Sequence, residues 1–143
     1  MNQSQSGTEF AAKVAETTGQ ELENPEIVAD LFETCEREGM MSSFKDLALC
    51  AKSFQKVARL LSTDRSNDDM KRSAKTELEG FLKNFSNTVE KIVFRLPPEK
   101  QKDYQTNFLL PTPGSFRNLR ALLNDFVKVK DYMLAERDRG TTK

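Results

Sequence analysis

Apolar residues recur at steps of three and four along almost the whole chain, and strand-like alternation never lasts more than a few residues. The first such stretch carries Phe10, Ala11, Val14 and Ala15, with Thr8 as the expected cap and Gly19 as the stop. Asn24-Pro25-Glu26 predicts a second helix start: a cap oxygen, a proline suited to the first helical position, and an acid at the positive end. That helix should bury Ile27, Val28, Leu31, Phe32 and Cys35 and end at Gly39.

A third helix is expected from a Ser42 or Ser43 cap to about Ser62. Its Phe44, Leu47, Cys50, Ala51, Phe54, Val57, Ala58 and Leu61 fall within an arc of about 140°. A fourth runs from Asp68 to Leu96, where Pro97-Pro98 forbids continuation; its stripe includes Met70, Ala74, Leu78, Phe81, Phe85, Val89 and Ile92. Residues 98–107 can form a short helix, and Pro111-Thr112-Pro113-Gly114 breaks the chain again. Ser115 is the expected cap of the last helix, with Phe116, Leu119, Leu122, Leu123, Phe126, Val129 and Met133 on its inner face. The pattern predicts an all-α protein, an antiparallel helical bundle of about four main helices plus one or two short helices. It should occupy residues 8–138 as a single domain, with 1–7 and 139–143 disordered.

Composition agrees with one globular domain: 143 residues, 37% hydrophobic and 31% charged. No apolar run reaches the roughly 18 residues of a membrane span, and the N-terminus lacks the apolar region of a signal peptide, so a cytoplasmic location is expected. Cys35 and Cys50 then read as reduced, small core residues. The absence of His excludes Ser-His and Cys-His nucleophilic pairs, His-containing zinc sites and the Glu-x-x-His di-iron pattern. The six glycines are too scattered for a phosphate-cradling loop. Asp68-Asp69 suits a helix start better than a metal pair, and Asp64, Asn67 and Asp69 do not complete a calcium loop. No cofactor or metal is expected.

Charge is balanced in sum but not in place. Residues 1–40 hold nine acidic and two basic side chains, a net of −7, which leaves +7 on the remaining 103 residues. Lys45, Lys52, Lys56 and Arg59 lie within about 60° of one another, opposite the apolar arc of the third helix. This ridge could meet a nucleic acid or another anionic ligand, but the zero net charge makes nucleic acid an unexpected partner. The acidic segment from Glu9 to Glu38 is expected to pack along the basic remainder and partly neutralise the ridge.

Tyr104, Phe108, Leu109, Leu110 and Phe116 crowd a proline-bracketed connection without sustained periodicity. They can close the core as a lid or form a partner surface; the surface reading makes them the candidate partner site. Arg117 and Arg120, with the amides after Ser115, are candidate anion contacts. The leading functional reading is a non-enzymatic helical bundle acting through protein–protein interaction, with an unidentified partner or a second copy of itself. The alternative is a small helical enzyme that would gather Tyr104, Arg117 and Arg120 into one pocket.

Overall fold

A computed structural model of the protein describes residues 6–62, 68–109 and 111–141, with side chains to residue 138. Among the described residues there is no strand; the elements are α1 (Gly7–Thr18), α2 (Pro25–Glu38), α3 (Met41–Leu61), α4 (Asp68–Val93), α5 (Pro98–Tyr104), a π-helical turn (Gln105–Leu109) and α6 (Pro113–Thr141). The fold is the expected antiparallel helical bundle. α1 pairs with α2 and α3 with α4, while α6 lies against both α3 and α1. Gly19 and Gly39 end α1 and α2 in the left-handed conformation, at φ 72° and 68°.

Aromatic rings join the elements because a bundle of amphipathic stripes needs bulk where the stripes meet. Phe10 of α1 stacks on Phe32 of α2 at 4.1 Å, and both meet Phe44 of α3 edge-on at 5.5 Å. Phe126 of α6 continues the contact to Phe44 at 5.2 Å and to Phe85 of α4 at 5.7 Å. The fully buried part of α3 ends at Phe54 and that of α4 begins at Phe85. Beyond them the two helices continue as a hairpin held by half-buried Ala58, Leu78, Phe81 and Leu82. Met70, expected on the inner stripe, is exposed, because α4 outruns the body of the bundle there.

Several helix starts differ from expectation. α1 begins before Thr8, with the Ser6 hydroxyl accepting the Glu9 amide at 3.1 Å. Gly7 is buried rather than part of a disordered terminus. At the other end α6 runs to Thr141, past the expected limit at 138; the remainder of both expected tails lies outside the described residues. α3 starts at Met41, so Ser43 lies buried in its first turn and does not cap it. Thr112, not Ser115, serves the head of α6: its hydroxyl oxygen accepts the Ser115 amide at 3.1 Å.

Gly7 packs so closely on α2 that a Cβ there would run into the Ala29 carbonyl and the Glu33 carboxylate, whereas a Cβ on Gly80 would meet nothing within 4 Å. The two Gly→Ala substitutions should therefore have opposite signs. Gly7→Ala should lower stability by about 1–3 kcal/mol through overpacking, and Gly80→Ala, inside α4, should raise it by about 0.5–1 kcal/mol through helix propensity. Urea denaturation of both variants checks the pair.

Asn24 does not cap α2 with its side chain. It turns instead towards α6, where the carboxylate of Asp125, with no exposed surface, accepts the Glu23 and Asn24 amides at 2.8 Å each. The Asn24 side-chain amide adds a third bond at 3.2 Å, and the Lys128 ammonium lies 3.8 Å away.

The acidic segment does pack against the basic remainder, but among the described residues none of its carboxylates forms an ion pair with the ridge. Its ion pairs run from Asp30 to Lys100 at 2.9 Å and from Glu38 to Arg95 at 3.7 Å, while Lys52 of the ridge pairs with Asp131 on α6 at 3.0 Å. The reason is directional: α3 meets α2 through the face that carries Phe44, and the ridge stands opposite that face.

Candidate functional site

The connection from α5 to α6 is held by polar bonds. The Ser115 hydroxyl donates to the Thr106 carbonyl at 3.2 Å and accepts from Thr112 at 3.0 Å. The Asn118 side-chain amide donates to the Asn107 carbonyl at 2.8 Å. These bonds fix the head of α6 on the π-helical turn, a rare backbone form that recurs at functional sites. The turn sends Phe108 into the core and leaves Leu109 half-buried at the surface.

Between the turn, the proline break and the first two turns of α6 lies an open groove of about 810 Å³. Phe108 and Leu119 line its inner part. Leu109, Pro111, Pro113 and Phe116 extend the apolar wall, with Arg117 and Arg120 at its side. Phe116 is 51% exposed, although the spacing of α6 placed it with the core residues. The Arg120 guanidinium lies 4.9 Å from the Phe54 ring centre and 6.0 Å from that of Phe116. Both distances lie within cation–π range, and such contacts with ring faces consume none of the guanidinium's N–H donors. Among the described residues no carboxylate forms an ion pair with Arg117 or Arg120.

The structure divides the expected site residues. Phe108, Leu109, Phe116, Arg117 and Arg120 come together in this groove, while Leu110 lies outside the described residues. Tyr104 and Phe108 are buried, with ring centres 4.9 Å apart, so they act as a lid over the core and not as exposed partner contacts. Burial of large rings is the favourable outcome where a connection crosses an open bundle end. Tyr104 also lines a different cavity from Arg117 and Arg120, so the three residues of the enzyme reading do not share a pocket. Lys45, Lys56 and Arg59 are exposed on α3 and do not line the groove.

Burial pushes the Cys35 thiol up to about 11, and raises the Cys50 thiol with help from nearby Asp46. Both thiols are free and lack the thiolate character that reactivity needs. Ser115 was expected only as a helix cap, and the part that Thr112 and Asn118 take with it in holding the groove was not legible, because short polar residues near a proline break also suit any solvent-facing turn. No family model, curated protein or solved structure matches the chain.

Proposed function

We propose that the protein is a non-enzymatic binding module that captures a partner protein through a segment of mixed apolar and acidic side chains. The observation that carries this reading is Phe116, half-exposed in an open groove beside the Arg117 and Arg120 guanidiniums. An exposed aromatic ring on a pinned backbone offers contact area at little entropic cost. The guanidiniums select what accompanies it: their planar N–H edges suit a carboxylate.

Selection of a random phage-displayed peptide library on the immobilised protein tests the reading. Peptides in which Asp or Glu lies close to an aromatic residue or Leu are the expected product. Phe116→Ser should weaken their capture about tenfold or more, and so should Arg117→Glu combined with Arg120→Glu. Helical circular dichroism should persist in the Phe116 variant, because half of that ring already faces water. Enrichment of basic peptides, or capture unaffected by either change, would refute the proposal.

A further inference from the structure

We propose that the protein associates head-to-tail with copies of itself, the outer face of α3 on one copy seating in a groove between α1 and α2 on the next. Lys45, Leu49, Lys52, Lys56, Arg59 and Leu60 share an outward arc of about 100° on α3. Asp46, the one acid of that helix, lies outside the arc. Leu49 is 54% exposed in the middle of this face, with Lys45, Lys52 and Lys56 within two turns of it. Lys45, Lys56 and Arg59 form no ion pair among the described residues. The face therefore presents an apolar knob set among cations.

The groove between α1 and α2 is the complement of that face. It encloses about 380 Å³ over an apolar lining that includes Ala12, Ala15, Leu22 and Pro25, because alanine side chains are too short to fill the space between the two helices. Glu21 and Glu26 stand in its wall, no cation lines it, and neither acid forms an ion pair among the described residues. A leucine in this socket, with lysines on the carboxylates beside it, would satisfy both surfaces at once. Within one chain the two faces do not meet: Asp30 and Glu38 reach Lys100 and Arg95, and no acid of residues 1–40 reaches the ridge. The separation of −7 from +7 is thus left for a second molecule to match. Zero net charge favours a second copy over a polyanion, since it removes repulsion between copies and gives a nucleic acid or anionic membrane no long-range attraction. Each copy carries both faces, so the contact is heterologous and either closes on itself or extends. The α6 groove shares no residue with either face and stays open for its own partner.

Sedimentation velocity of the full-length protein at low ionic strength tests this. The weight-average mass should rise above that of one chain with concentration, and fall back as salt screens the charged rims. Leu49→Glu and Ala12→Arg should each weaken self-association about tenfold or more. Both positions face water, so helical circular dichroism should persist in each variant. Mixing the two variants is the decisive arm. Leu49→Glu keeps an intact groove and Ala12→Arg an intact α3 face, so together they should form a one-to-one complex that neither forms alone. Lys83→Glu, a charge change on exposed α4, should leave association unchanged. A wild type that stays monomeric at millimolar concentration, association that salt does not weaken, or a mixture that stays monomeric would overturn the assignment. So would phosphatidylserine vesicles that bind the monomeric wild type through Leu49, which would give the α3 face to a membrane.

Discussion

Phe126→Ala is expected to lower stability by about 3–5 kcal/mol, as large as any single substitution in this chain. Its ring has no exposed surface and bridges α6 to Phe44 on α3 and Phe85 on α4. Truncation therefore costs the transfer of the ring to water and also leaves a cavity where three long helices meet. Domains of this size hold only about 5–15 kcal/mol in total, so the variant should populate unfolded chain at modest temperature. Phe94→Ala is the matched control: that ring is 60% exposed in the turn after α4 and should change stability by no more than about 0.5 kcal/mol. Urea titrations of both variants, followed by circular dichroism, read the difference directly.

Asp125→Ala should cost about 3–5 kcal/mol by a different route, because it strands the donors that the carboxylate now satisfies. The Glu23 and Asn24 amides would lose their acceptor, and α6 would lose its polar tie to the connection between α1 and α2. Asp125→Asn keeps the shape but turns one acceptor into a donor facing an N–H, so its cost should be smaller, about 1–3 kcal/mol. The pH dependence has a definite sign. Burial raises the Asp125 carboxyl above its ordinary 3.8, outweighing the Glu23 and Asn24 hydrogen bonds and the Lys128 charge. The native state thus holds this proton at pH values where the unfolded chain has released it. Asp125 contributes most below 3.8 and loses that contribution as pH rises through its folded-state value. The stability gap between wild type and Asp125→Ala should accordingly narrow as pH rises from 3.8 through the folded-state value of this carboxyl. A gap that widens with pH would show that the hydrogen bonds outweigh burial.

These residues also separate what was legible in the sequence from what was not. Phe126 belonged to a stripe with Leu119, Leu122, Leu123 and Val129, all of them now buried. Asp125 broke that stripe, since it follows Leu122 by three positions and precedes Val129 by four. An acid at such a position signals a buried polar tie, but periodicity cannot say what it binds. The loop amides it serves lie about one hundred residues earlier in the chain, 102 positions for Glu23 and 101 for Asn24.

By itself the sequence determined the number and approximate bounds of the helices, the left-handed glycine stops and most of the inward stripes. Each of these depends on neighbours within one or two turns, where the 3.6-residue period and the capping chemistry act directly. Only the tertiary structure decided which apolar residues outrun the core, as Met70 and Phe116 do, and that Tyr104 and Phe108 close it. It alone set the acids of α2 against Lys100 and Arg95 instead of the ridge on α3. Helix order and packing fix those outcomes, and neither the period of a stripe nor the sum of its charges specifies which faces of distant helices will meet.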